Sequence, residues 1–217
     1  IKNLLYEENF PKSLKEVNSI INSLDKIRIL HYLMRICPLP DLQFEKFFSN
    51  MRCLILTNLN DIETSPEFIY FLSTLSLQCF TNEYIYFEKN KETKMIEELE
   101  NEITQTIMKS NQPEAKKILC LASYRPLHQY NWCKKLENLN NLENVKLRLI
   151  DEPCSEREIV AKIPILGEIS DDVSRKVRFQ YEQNPYPRWI KTEIPTKTKS
   201  IPQICAELNL NLHSKSI

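Results

Sequence analysis

Apolar residues recur at helical spacing through most of this chain. After a tail over residues 1–12, Ser13-Leu14-Lys15-Glu16 reads as a capping box, the serine bonding forward and the glutamate back. Leu14, Val17, Ile20, Ile21, Leu24, Ile27, Leu30 and Leu33 follow on one face, as one long helix or two broken near Asn22-Ser23. Cys37-Pro38-Leu39-Pro40 ends that element, because the residue before a proline is pushed out of helical geometry. Asp41 caps a second run, with Phe44, Phe47, Phe48, Met51, Leu54 and Ile55 as its apolar stripe. Ser65-Pro66 opens a third, with proline at the first helical position, where its missing N–H costs nothing. This third element is apolar around most of its circumference, which predicts a helix at the centre of a bundle. A fourth, roughly 91–110, sets Met95, Ile96, Leu99, Ile103 and Ile107 against a solvated face of Glu97, Glu98, Glu100 and Glu102. Asn111-Gln112-Pro113 closes it.

Beyond this point the texture changes. Lys117–Ala122 is a short apolar run followed by turn residues, and Val145–Ile150 alternates apolar and polar at period two, as a half-buried strand does. With a helix over Leu127–Leu139 between them, these two segments predict a small βαβ-like unit. Ser155-Glu156-Arg157-Glu158 reads as a further capping box, and Ser170 with Asp171 and Asp172 opens the helix that carries Val173, Val177 and Tyr181. Asn184-Pro185 ends it; a polar stretch follows, and Ser200-Ile201-Pro202 restarts a short helix through Leu208. The fold class expected is therefore mainly α: a helical bundle over 1–112, a small α/β element with its closing helix over 113–192, and a linker with a short helix over 193–217.

Composition narrows the chemistry. Lys plus Arg equals Asp plus Glu at 29 each, a neutral balance that argues against non-specific binding to nucleic acid or an anionic membrane. Gly167 is the only glycine. Phosphate-cradling and dinucleotide loops need several, so the chain by itself holds no cofactor-binding residues of the usual glycine-rich kind. Seven cysteines, odd in number and without a C-x-x-C pair, read as free thiols in a reducing cytosol, and three histidines show no ligand spacing with them, so no metal is expected. The apolar run Phe68–Phe87 is interrupted by polar residues and suits a buried helix better than a membrane span. The chain begins at Ile1 and reads as part of something longer.

No triad, carboxylate pair or catalytic cluster is legible, so no catalytic residue is assigned. His31 falls in an apolar stripe and reads as a core or boundary histidine. His128, in Tyr124-Arg125-Pro126-Leu127-His128, suits strand-end packing or a binding role, and Asn82 and Glu83 suit an internal hydrogen-bond network or a ligand contact. Tyr181-Glu182-Gln183-Asn184-Pro185-Tyr186-Pro187-Arg188-Trp189 is denser: two tyrosines, a tryptophan and an arginine are held by stiff X-Pro steps. Its residues either anchor the chain as it leaves a helix or form a docking segment.

The stretch Val177–Trp189 resembles the VR-x-QYE-x-NPYPRW signature of bacterial proteins in which tetratricopeptide repeats precede a class I S-adenosylmethionine-dependent methyltransferase domain. Asp41–Lys46, Leu77–Tyr84 and Tyr124–Leu127 resemble the helical region between repeats and catalytic domain, so the likeness spans roughly residues 24 to 212. It implies a cytoplasmic methyltransferase whose glycine-rich cofactor loop follows Ile217, with the repeats before Ile1. S-adenosylmethionine is then the cofactor of the parent protein and is not expected to bind this chain alone. Tyr181, Asn184, Tyr186, Arg188 and Trp189 become lid or substrate-contact candidates. The partner implied is the methyltransferase domain of the same chain, with a protein partner as the alternative and neither membrane nor nucleic acid expected.

Overall fold

The computed structural model describes residues 5–6, 10–137, 139, 142–160, 162–164, 167, 169–183, 200 and 202–203. They form α1 (Leu14–Asp25), α2 (Arg28–Ile36), α3 (Leu42–Thr57), α4 (Pro66–Thr81), α5 (Asn90–Met108) and α6 (Ala115–Ala122). Two 3-10 turns, Leu127–Gln129 and Cys133–Lys135, come next. A helical stretch follows, in which α7 (Glu143–Lys146), a π-helical turn (Leu147–Asp151) and α8 (Glu152–Val160) run on without a break. Last comes α9 (Asp172–Gln183). The mainly helical reading holds.

The local signals act where the sequence placed them. Ser13 accepts from the Glu16 N–H, Asp41 from Gln43 and Ser65 from Phe68, and Pro66 occupies the first turn of α4. The break in the first stripe falls at Lys26-Ile27, leaving two helices, and α2 stops before Cys37-Pro38. α4 is buried from Phe71 to Thr81 and packs against α1, α2 and α6. Its hydroxyls are satisfied within the helix: Thr74 donates to Phe71 O and Ser76 to Ser73 O, both at 2.8 Å.

Neither expected strand forms. Residues 117–122 lie in α6, whose Ile118, Leu119, Cys120, Leu121 and Ala122 are all buried because it packs against α3, α4 and α5. A continuous apolar run reads alike for a buried strand and for a helix enclosed on every side, and here the enclosure decides it. Residues 145–150 cross α7 and the π turn. Val145, Leu149 and Ile150 are buried while Leu147 is exposed, so the period-two alternation was accidental. Pro153 has no N–H to give to a carbonyl of the preceding turn, and the wider π turn just before it accommodates the missing donor. Ser155 therefore lies inside a helix rather than at its start, and Leu127–Leu139 holds only the two short 3-10 turns among its described residues.

Glycine scarcity shows at the helix ends. α4 and α5 both close in Schellman geometry with a non-glycine residue in the left-handed region, Glu83 (φ 54°) and Ser110 (φ 59°). Glu83 N–H donates to Phe80 O and Tyr84 N–H to Cys79 O; Ser110 N–H donates to Ile107 O and Asn111 N–H to Thr106 O. So Asn82 and Glu83 end α4 rather than interrupt it.

The chain divides into two units, Ile1–Asn184 and Pro185–Ile217. In the second, Pro202 and Gln203 are helical, and Gln203 Oε1 accepts from the Ser200 N–H at 2.9 Å. No helix among the described residues is long and apolar enough to cross a membrane.

Candidate functional site

Arg52, on the buried side of α3, organises the most constrained part of the first unit. Its Nη1 donates to Ser123 O at 3.1 Å, and its Nη2 donates to Tyr86 O at 3.2 Å and Phe87 O at 3.0 Å. The guanidinium stacks on the Tyr124 ring at 4.0 Å and faces Tyr86 at 5.8 Å. A planar donor fork is suited to this task, because it satisfies three carbonyls while its faces lie on aromatic rings. Cys79 and Cys120 are buried close by, and burial pushes their thiols up to about 11 and about 12 against the opposing pull of the Arg52 charge. They stay protonated at neutral pH and do not act as nucleophiles.

The loop that Arg52 pins, Asn82–Glu88, holds two consecutive left-handed residues just after Asn82, Glu83 and Tyr84 (φ 56°). Asn82 Nδ2 donates to the Tyr86 hydroxyl at 2.9 Å, so the far side of the loop is tied back to the end of α4. Fixed at both ends, the loop presents Ile85 and Phe87 outward, 65% and 71% exposed. The left-handed backbone of Glu83 and Tyr84 persists because these ties over-determine it.

Phe87 also walls a cleft of about 290 Å³ between α3 and the start of α5, lined besides by Phe10, Asn50, Cys53, Lys89 and Glu92. Glu92 is buried, and its carboxylate accepts the Lys89 N–H at 3.3 Å. Burial, then the hydrogen bond with Glu92, raises the Cys53 thiol, so Cys53 is no activated nucleophile in the cleft. Among the described residues no group of three or more His, Cys, Asp and Glu side chains is placed to hold a metal ion.

An ion-pair ladder braces the other side of the loop. Arg125 Nη1 and Nη2 meet Glu88 at 2.6 and 2.8 Å, and Arg125 Nε lies 3.9 Å from Glu100. The Tyr130 hydroxyl donates to Glu100, its ring stacks on Trp132 at 4.6 Å, and Trp132 Nε1 donates to Thr104 Oγ1 at 3.0 Å. The Arg125 guanidinium holds the Glu88 carboxyl below its ordinary value. The stretch Tyr124–His128 is thus packing scaffold, at a helix end rather than a strand end, with His128 edge-on to Phe80 at 6.2 Å. His31 is buried, its ring between Thr74 Oγ1 at 3.0 Å and Leu24 O at 3.1 Å, and burial lowers its pKa.

Of the lid candidates, Tyr181 lies on the last turn of α9 and is 63% exposed, while Asn184, Tyr186, Arg188 and Trp189 lie outside the described residues. Asp171, one residue after Ser170, accepts the Ser174 N–H at 2.7 Å and starts α9. Val173, Val177 and Phe179 are exposed with Tyr181. Val173, Val177 and Tyr181 fall at four-residue intervals on one stripe.

Sequence reading missed Arg52. An arginine between Met51 and Cys53 in an apolar stripe carries no outward sign of burial, and only the aromatic density of Tyr84, Tyr86, Phe87 and Tyr124 elsewhere in the chain hinted at a cation to stack on. Set against known proteins, the chain matches no family model, no curated protein and no solved structure.

Proposed function

We propose that this chain is the helical module of an S-adenosylmethionine-dependent methyltransferase polypeptide, and that Tyr181–Trp189 closes over the acceptor or cofactor pocket of a catalytic domain in the same chain. The observation that carries this reading is the helix leading into the motif: α9 exposes Val173, Val177 and Tyr181 on one stripe, a face suited to meeting another body. The likeness of Val177–Trp189 to the methyltransferase-associated signature names that body. In this role Tyr186 and Trp189 supply stacking and exclude water, Arg188 meets a carboxylate or phosphate, and Asn184 orients backbone or ligand. Methyl transfer is then mainly a matter of positioning donor and acceptor in line, which a closing segment assists.

The test is methyl transfer by a polypeptide extended through the coding sequence that follows Ile217. Arg188→Ala and Trp189→Ala are each expected to lower turnover at least about tenfold, the loss of one or two good contacts, with unchanged circular dichroism and melting. Normal turnover by both overturns the lid role, and a stop codon after Ile217 overturns the whole reading.

A second reading, a non-enzymatic interaction module, draws on a different observation. Ile85 and Phe87 are apolar, exposed and held on a fixed loop, as interface anchors are. Loss of a captured protein partner by an Ile85→Ser/Phe87→Ser variant with unchanged melting, together with no methyl transfer by the extended polypeptide, would favour it.

A further inference from the structure

The exposed face of α2 grades from charge to oil. Arg28, Tyr32 and Arg35 line an open groove of about 800 Å³ together with Asp25, Lys26 and Tyr70. Tyr32 also belongs to an apolar edge with Ile29 and Ile36; Ile29 is 63% and Tyr32 52% exposed. Positions 28, 32 and 35 follow one side of the helix and 29, 32 and 36 the adjoining side, so Tyr32 stands at the border.

The charge on this face is uncompensated. Lys26 and Arg28 form no ion pair or hydrogen bond with a described residue, and Arg35 gives only its Nε, at 3.3 Å, to His31 O. Asp25 is the one carboxylate lining the groove among the described residues, and Lys26, Arg28 and Arg35 outnumber it. The Tyr32 and Tyr70 hydroxyls have no described hydrogen-bond partner either. In a chain of zero formal net charge, three cations against one carboxylate around a single groove make a local positive excess that complements an acidic partner. The face is also held in place from below: the His31 ring lies 4.7 Å from the Tyr70 ring and fixes it against α2.

Geometry selects the ligand. Arg28 and Arg35 are two turns apart, about 10 Å along the helix axis, and offer two cationic anchors spaced along α2. A chain of carboxylates repeating every turn or two matches them, and an apolar stripe beside those carboxylates matches Ile29, Tyr32 and Ile36. We propose that this face of α2 docks an acidic amphipathic helix of a separate protein partner, lying along α2 with its carboxylates toward Arg28 and Arg35. The site is remote in sequence from the motif after α9 and stands independently of the methyltransferase reading.

Fluorescence anisotropy on the intact 217-residue chain tests it, with a labelled acidic peptide carrying leucines at i, i+3 and i+7 and glutamates along one flank. Two controls accompany it: the same residues shuffled, and the ordered peptide with lysine for glutamate. Saturable binding of the ordered acidic peptide alone is expected, weakening as salt rises because rim charges are screened. Arg28→Glu/Arg35→Glu should weaken it at least about tenfold, Ile29→Ser should weaken it severalfold, and Lys117→Glu, on α6, should leave it unchanged. Arg28→Gln/Arg35→Gln repeats the comparison without charge reversal, should the first variant melt early. Equal binding of ordered and shuffled peptides overturns the helical docking. Binding only to phosphatidylserine vesicles, only to inorganic phosphate, or only to a second copy of the chain overturns the partner class, and no saturable binding overturns the site.

Discussion

The guanidinium of Arg52 and the phenol ring of Tyr124 lie face to face at 4.0 Å in the centre of the bundle. α3 and the end of α6 are joined there by a cation that also takes up the backbone carbonyls of Tyr86, Phe87 and Ser123. Removing Arg52 strands those carbonyls away from water, so Arg52→Met should cost about 3 kcal/mol, read from urea unfolding. Tyr124 tells the opposite story. Its hydroxyl is buried with no partner, so Tyr124→Phe should be neutral or stabilising by up to about 1 kcal/mol. A large loss from Tyr124→Phe would mean that the hydroxyl is bonded after all.

Ser110 should be improvable. It sits just past α5 with φ 59°, where a side chain crowds the backbone and glycine does not. Ser110→Gly is expected to raise stability by about 1 kcal/mol, offset in part by the entropy glycine adds to the unfolded chain. The same substitution at Ser123, a helix cap in ordinary right-handed geometry, should destabilise, and the pair of melting temperatures checks the sign.

The Glu88–Arg125 pair sets part of the acid limit. Because the folded Glu88 pKa lies below its unfolded value near 4.5, its contribution is complete above that value and is lost as pH falls through the folded pKa. Glu88→Gln should therefore lower stability at neutral pH by about 1 kcal/mol, a partly exposed bidentate pair being worth no more. As pH falls from 4.5 through the lowered folded pKa, the gap between variant and parent should close. A constant gap across the acid range would sink the assignment.

His31 acts in a higher window. Its folded pKa is lowered from 6.5, first by burial, so the unfolded chain binds the extra proton more readily. Stability is then whole above about pH 6.5 and declines as pH falls below it. His31→Gln should flatten this decline, and the ring's proton resonance should titrate below 6.5 in the folded protein. A midpoint at or above 6.5 would reverse the sign and refute the account.

What the sequence determined by itself were the capped helix starts and the central helix. Ser13, Asp41 and Ser65 bond to N–H groups two or three residues away, and Pro38 and Pro66 act on their own turn, so those effects need no knowledge of the rest of the fold. The apolar circumference of α4 likewise announced its place. What only tertiary structure decided were the helical state of 117–122 and 145–150, the burial of Arg52, and the gathering of Arg28, Arg35 and Tyr70 into one groove. Short apolar runs satisfy strand and helix patterns alike until neighbours enclose them, and an arginine is buried only where distant carbonyls and rings converge to receive it. Those contacts join α3 to α6 and α2 to α4, and local patterning has no access to them.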